Sequence, residues 1–335
     1  MKKYKMAFLN DYQGVALSSA PWDRVSDQVD FVAFNKHIDD VDDLVRELES
    51  FDIVFAMRER TAFTAEILAR LPNLKLIATA GPVNAAIDVR AANALGKFVT
   101  GTGYSSSSTS ELTWSLILLS AYRIHEQVAF VRAGGWQYAL GSELAGKVLG
   151  VIGVGGVGST VARVGAAFGM KVVAWSANLT AERAAACGAQ LVSKEALISM
   201  SDIITIHLRL SERSRDLIRA AELAAMKPTA HLINTSRGPI VNEDALIAAL
   251  SEGQIAGAAL DAYAVEPLPQ DHPFRSLPNV IASPHIGYVT AEHYELIFRH
   301  SLENVEAWLK GAPIRPVPDV RDLGASGLPD WISAS

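Results

Sequence analysis

Three stretches in the second half of the chain set ionisable residues just after apolar, strand-like runs. "LINTSRGPIVNEDAL" carries Arg237 before Gly238 and Pro239. "GAALDAYAVEPLP" carries Asp261 at the end of its run and Glu266 before Pro267. "IASPHIGYVT" carries His285 between Pro284 and Ile286. An imidazole exchanges protons near neutrality, and a guanidinium grips carboxylates or carbonyls through charge-assisted hydrogen bonds. Each residue also has a plainer reading. Arg237 could pair with a surface acid, Glu266 could be a solvated turn residue, and His285 could bond a neighbouring carbonyl. Position weighs against all three being plain at once. In an open parallel sheet ligands bind at the carboxyl ends of the strands, and these residues lie there.

A fourth stretch lies at such an end. "GVIGVGGVGSTVARVGAAFGMKVVAWS" holds Gly153, Gly155 and Gly158 in GxGxxG spacing, between an apolar strand and a small-residue helix, with a second strand following. Gly153 permits the tight turn, Gly155 lets a pyrophosphate approach, and Gly158 lets helix and sheet pack closely. Gly156 and Val157 complete the turn, and the helix N-terminus offers unpaired N–H groups to phosphates. This predicts a dinucleotide site. An acid normally ends the second strand and binds the ribose 2′-OH. Here that place holds Ser176, followed by Asn178, while the nearest arginine, Arg183, is a helical turn away beside Glu182. No carboxylate repels a 2′-phosphate, so NAD and NADP are both allowed, with a tilt to NADP.

These residues need a frame. "KMAFLN", "VDFVAFN", "FDIVFAM", "LKLIATAG" and "KFVTGTG" read as buried strands, and "DDVDDLVRELES" and "TAEILARLPN" as amphipathic helices between them. One long helix is expected over residues 110–132, ending in "AGGWQ". A second series of strands follows: "KVLGVIG", "KVVAW", "DIITIHL", "AHLINTS", "AGAALDAY" and "NVIASP". A last helix is expected over residues 291–310, and "GASGLPDWISAS" reads as an arm or frayed end. Alternating strands and helices imply parallel sheets covered on both faces. At 335 residues the chain is long for one core. The expected class is α/β, with two domains built on doubly wound parallel sheets.

Composition narrows the partners. The formal charge is -6 and no basic run is present, which argues against nucleic acid. Cys187 is the single cysteine, so no internal disulfide framework forms; it reads as a small helix residue, and a reducing cytoplasm is expected. "MKKYKMAFLN" is too short for a signal peptide's core. The most apolar run, "LTWSLILLSAY", falls well short of the roughly 20 residues of a membrane span. No metal-ligand spacing of the HExxH or clustered Cys/His kind occurs, so no metal is expected.

Residues 144–317 resemble the D-isomer-specific 2-hydroxyacid dehydrogenases through "GVIGVGGVG", "NTSRGPIVNEDAL", "LDAYAVEP" and "SPHIG". "LKLIATAGPVNAAIDVRAA" and "STSELTWSLIL" resemble that family's substrate loop and first interdomain helix, so the resemblance covers nearly the whole chain. It implies an oxidoreductase passing hydride between NAD(P)H and the carbonyl carbon of a 2-oxo acid, giving a D-2-hydroxy acid. His285 would be the general acid in reduction and the base in oxidation. Glu266 would hold the other ring nitrogen and favour the protonated ring, and Arg237 would bind the substrate carboxylate or polarise its carbonyl. The resemblance further implies a flavodoxin-like substrate domain, residues 1–110 and 292–335, around a Rossmann NAD(P)-binding domain, residues 111–291, and a homodimer. Implied cofactor contacts are Thr109, His207, Ser214, Ser236, Asp261 and Gly287, besides the glycine turn, Ser176 and Asn178. Asp261 would hold the carboxamide, with His207 and Ser214 beside the adenosine and phosphates. His207 reads equally well as a strand-end histidine. Implied substrate contacts are Ala80, Gly81, Val83 and Arg237.

The chain departs from the pattern in places. Pro82 follows Gly81 in the loop that offers consecutive N–H groups to a carboxylate, and proline has none. Arg209 stands where the family often has proline, and "GTGYSSSSTSE" is unusually rich in serine and glycine. A competing reading is an NAD(H)-sensing regulatory protein with this fold and little turnover. The intact set of Arg237, Glu266 and His285 favours catalysis.

Overall fold

The computed structural model describes residues 2–322 and 328–332. The chain divides into two compact units, Met1–Ser105 with Thr290–Ser335, and Ser106–Val289. Both divisions fall a few residues before the expected ones at 110 and 291, each in the loop just ahead of a helix.

The first unit is a five-stranded parallel sheet of β1 (Tyr4–Phe8), β2 (Val29–Ala33), β3 (Ile53–Ala56), β4 (Leu76–Thr79) and β5 (Phe98–Thr100), in the order β2-β1-β3-β4-β5. That is the flavodoxin-like order. The connecting helices α1 (Val41–Leu48), α2 (Ala65–Ala69) and α3 (Val89–Ala94) start where Asp40, Thr64 and Asp88 accept a backbone N–H three residues on. Alternate strand residues serve opposite faces. Val54 and Ile77 join Leu48, Phe63 and Leu68 on one side, whereas Phe8 and Phe55 meet Phe298 on the other.

The second unit opens with α4 (Ser107–Tyr122) and α5 (Ile124–Arg132). It continues as β6 (Val148–Ile152), α6 (Gly156–Ala167), β7 (Lys171–Trp175), α7 (Ala181–Ala185), β8 (Gln190–Leu191), α8 (Lys194–Met200) and β9 (Ile203–Ile206). It ends with α9 (Ala220–Ala225), β10 (His231–Asn234), α10 (Glu243–Ser251), β11 (Gly257–Leu260) and β12 (Val280–Ala282). The sheet order is β12-β11-β10-β9-β6-β7-β8, with every pair parallel. The chain starts in the middle at β6, runs out to β8, and returns to β9 on the other side. The carboxyl ends of β6 and β9 therefore flank the switch point where such sheets bind ligands. The strands are near-continuous apolar runs because both faces are covered, one by Ile204, Leu232 and Leu250 and the other by Val151, Val161 and Ile117. Finally α11 (Ala291–Leu309), capped by Thr290, returns the chain to the first unit.

Two expectations are corrected. The helix expected over residues 110–132 is two helices. Arg123 between them takes a left-handed φ of 53°, and its guanidinium makes a two-point bond to Glu126 at 2.9 and 2.6 Å. That local ion pair holds a corner for which the sequence has no glycine or proline. The tail is not free at Trp331, whose Nε1 donates to the Pro316 carbonyl at 3.0 Å; residues 324–327 and 333–335 of that stretch lie outside the described residues. Among the described residues no helix is long and apolar enough to cross a membrane, and no group of acidic, histidine or cysteine side chains is arranged to hold a metal.

Candidate active site

Register brings the site together. Trp175, Ile152, Ile206, Asn234, Leu260 and Ala282 are successive partners across the sheet, so six strands end on one line. The residues that follow them are Ser176, Gly153, His207, Thr235, Asp261 and Ser283, and the loops beyond carry Arg237, Glu266 and His285.

The glycine turn has the shape a pyrophosphate needs. Gly153 sits at φ 96°, and a Cβ there would lie 2.6 Å from the His207 carbonyl. At Gly158 a Cβ would lie 1.9 Å from the Gly153 carbonyl. Both positions are closed to any side chain. At Gly155, by contrast, a Cβ would meet nothing within 4 Å. That open space lies at the start of α6, whose first N–H groups lack intrahelical partners. These residues fit a dinucleotide: two glycines make the turn, and one leaves the room.

The His285 loop is fixed from several sides. His285 has φ 53°, in the left-handed region. Its Nδ1 lies 2.5 Å from Glu266 Oε2, and Glu266 Oε1 accepts the Tyr263 N–H at 3.0 Å. Burial pushes the Glu266 carboxyl up. The hydrogen bond and charge of His285, the Tyr263 N–H and the charge of Arg237 outweigh that and hold it below the ordinary range. The side chains of His285 and Glu266 are 19% and 24% exposed, open enough for a substrate to reach the imidazole. Nδ1 is thereby turned to Glu266. Tyr288 stands edge-on to the His285 ring at 5.8 Å.

Several residues expected at the cofactor have their polar atoms engaged in shaping these loops. Asp261 is buried, and it accepts from the Ser283 hydroxyl at 2.5 Å and from the N–H groups of Ile286 and Gly287 at 2.9 and 2.8 Å. Burial pushes its carboxyl up against the pull of those donors and of His285. The Ser236 hydroxyl donates to the Leu208 carbonyl. Ser214 donates to the Arg209 carbonyl at 2.7 Å and accepts from the Ser211 N–H, closing that turn. Thr109 Oγ1 donates to the Gly287 carbonyl at 2.8 Å, which ties α4 to the histidine loop. His207 lies against the glycine turn with Nε2 2.9 Å from Thr205 Oγ1, and burial lowers its pKa to about 3, so it stays neutral. Arg237 Nη1 bonds the Ser236 carbonyl at 2.8 Å. The following Gly238 is essential to the packing, because a Cβ there would lie 2.1 Å from the Tyr263 carbonyl carbon. Ser176 and Asn178 lie at the partly open end of β7.

In the first unit, Ala80, Gly81 and Val83 follow β4. Gly81 has φ 90°, its N–H donates to Thr102 Oγ1 at 2.8 Å, and its carbonyl accepts the Thr102 N–H at 3.0 Å. The Gly81 N–H is thus bonded within the fold in this structure, and Pro82 has none. Among the described residues no acceptor takes the N–H of Val83. Sequence reasoning passed over Arg58 of "MRERT". Its Nη1 lies 2.3 Å from where a Gly81 Cβ would be, so the guanidinium covers this loop. A charged residue two positions after the buried strand β3 was the available signal.

Residues 114–287 match the family model described as D-isomer specific 2-hydroxyacid dehydrogenase, NAD binding domain. A glyoxylate reductase of Aeropyrum pernix is 41% identical over 256 residues, covering 73% of this chain and 76% of that one. A D-3-phosphoglycerate dehydrogenase of Synechocystis sp. is 35% identical over 311 residues, covering 89% of this chain but 56% of its own length, so this chain spans about half of that relative. The crystal structure of a phosphoglycerate oxidoreductase from Vibrio cholerae O395 superposes with a TM-score of 0.87 at 35% identity, covering 92% of this chain and 100% of that one.

Proposed function

The chain belongs to the D-isomer specific 2-hydroxyacid dehydrogenase family, and on that premise we propose that it reversibly reduces a 2-oxo acid to a D-2-hydroxy acid with NAD(P)H. The observation that carries this reading is the His285–Glu266 pair, 2.5 Å apart, on the same sheet edge as a glycine turn open at Gly155. The nicotinamide, when bound, supplies the hydride for reduction and takes it in oxidation. The protein's share is the proton and the grip. His285 gives a proton from Nε2 to the carbonyl oxygen in reduction and takes it back from the hydroxyl in oxidation. Glu266 holds Nδ1, which fixes the ring's orientation and leaves its position set by the loop. Arg237 binds the substrate carboxylate or polarises its carbonyl.

The nucleotide contacts proposed are the backbone of Gly153, Gly155, Gly156, Val157 and Gly158, with Thr109, Ser176, Asn178, His207 and Gly287 around them. Asp261, Ser214 and Ser236 are proposed to act on the cofactor through the loops they shape. Val83 is proposed as the N–H donor of the substrate loop, next to Ala80 and Gly81. NADP is the favoured dinucleotide, because no carboxylate stands at Ser176. A cytoplasmic homodimer completes the proposal. It is supported by the free, buried Cys187 and by exposed apolar residues along residues 122–140, including Trp136 at 78% and Leu140 at 94%.

The test is to mix the protein with NADPH or NADH and a panel of 2-oxo acids, following cofactor absorbance, with size measured in parallel. Glyoxylate heads the panel because of the Aeropyrum relative, and D-3-phosphoglycerate is tried in the oxidative direction because of the Synechocystis one. Tight cofactor binding without turnover of any substrate would overturn the reading. The sensing alternative draws no support from these relatives, which are named as enzymes.

A further inference from the structure

We infer that Arg183 is the residue that binds the 2′-phosphate of the dinucleotide, which makes this site selective for NADP(H). The inference rests on the nucleotide reading above and deepens it. Along the chain Arg183 lies past the end of β7, the place where a 2′-recognising residue is normally found, and inside the next helix. In the fold it returns there. The Gly153 N–H donates to the Trp175 carbonyl at 2.9 Å, so the glycine turn and the end of β7 are stitched edge to edge. Residues 176–179 then form a turn, with the Leu179 N–H on the Ser176 carbonyl at 3.1 Å and Leu179 buried beneath it. That turn delivers α7 back over the glycine loop. Arg183 Nη2 lies 3.3 Å from the carbonyl of Val154, between Gly153 and Gly155.

Two features make this guanidinium an anion site. It makes no ion pair among the described residues, and one bond to Val154 uses one of its five N–H donors. The acid beside it is engaged elsewhere. The Glu182 carboxyl is held below its ordinary range by its own backbone N–H and then by the Thr180 hydroxyl. A positive, planar, multi-donor group is thus tethered to the phosphate-binding loop with no carboxylate at Ser176 to oppose it. A 2′-phosphate is the ligand that matches it, through two-point charge-assisted bonds.

The test uses the full chain and ligands without a nicotinamide, ADP-ribose and its 2′-phosphate, with binding measured by calorimetry. The wild type should bind the 2′-phosphorylated ligand at least about tenfold more tightly, with the preference shrinking in high salt. Arg183→Ala should remove the preference while ADP-ribose affinity stays within about twofold, and Arg183→Lys should keep part of it. Ser176→Asp should reverse the preference with Arg183 still present, because the new carboxylate opposes the phosphate. Equal affinities in the wild type would overturn the inference, and so would a preference that survives Arg183→Ala. If neither ligand binds, the glycine-turn reading itself falls and takes the inference with it.

Discussion

Asp261 grips the chain just beyond His285, accepting the N–H groups of the next two residues, Ile286 and Gly287, at 2.9 and 2.8 Å. His285 itself stands at φ 53°, a conformation a non-glycine residue keeps only when its surroundings demand it. Asp261 supplies that demand. Asp261→Asn offers one acceptor oxygen in place of two and turns an NH2 toward a backbone N–H. Stability should fall by about 1–3 kcal/mol, the scale for a buried donor left unsatisfied. The turnover rate should fall as well, because the imidazole loses its register. Urea unfolding and steady-state rates check both, and wild-type values for both would show that the clamp does not position the ring.

His285 carries a chemical and a conformational requirement that substitutions separate. His285→Asn should lower turnover by about a hundredfold or more, the scale for losing a positioned acid, while folding normally, since asparagine tolerates a left-handed φ. His285→Val should lose the same activity and a further 1–2 kcal/mol or so of stability. Paired thermal unfolding curves would sink this expectation if the two variants were equally stable.

Glu266 should leave a signature in the pH dependence of stability. Its folded-state pKa is lowered, so between the folded and unfolded values the native protein binds fewer protons than the unfolded chain. The stability it contributes is present above the unfolded carboxyl's value, near pH 4.3, and is lost as pH falls through the lower folded value. Glu266→Gln should remove that acid-side loss, which unfolding midpoints at neutral and acid pH would show. In the reductive reaction the variant should turn over more slowly, because the amide holds Nδ1 without the charge of the carboxylate. A variant that keeps the wild-type rate would end the role given to Glu266.

The glycine turn separates room for a ligand from room for the fold. Gly155→Ala places its methyl where no protein atom lies within 4 Å, so the melting temperature should hold while dinucleotide affinity drops by about tenfold or more. Gly158→Ala drives a methyl to 1.9 Å from the Gly153 carbonyl. That overlap should destabilise the second unit itself, by a few kcal/mol on the scale of overpacking. Calorimetry on the two variants separates the effects; a Gly155→Ala protein that binds as tightly as the wild type would move the pyrophosphate elsewhere.

Much of this was legible in the sequence. Both sheets were readable because strands buried on two faces appear as unbroken apolar runs, and the first polar residues after them mark the ligand edge. The His285–Glu266 pairing was expected from the family resemblance carried by "LDAYAVEP" and "SPHIG". Other features depend on contacts that sequence spacing does not encode. The break at Arg123 rests on an ion pair in place of a glycine, and β8 is only two residues long. Gly81 loses its N–H to Thr102, a residue from the loop after another strand. Arg183 sits in the helix after β7, and the turn at residues 176–179 brings it back over the glycine loop.

Gly238 has a mechanical consequence. Its α-carbon lies so close to the Tyr263 backbone that a methyl group would come to 2.1 Å from it. The strap bearing Arg237 and the strap bearing Glu266 therefore touch backbone to backbone, with no side chain between them to act as a cushion. A displacement of one strap at this point therefore presses directly on the backbone of the other. A designer widening this site for bulkier substrates has one rigid jaw to move here, and cutting back side chains will not open it.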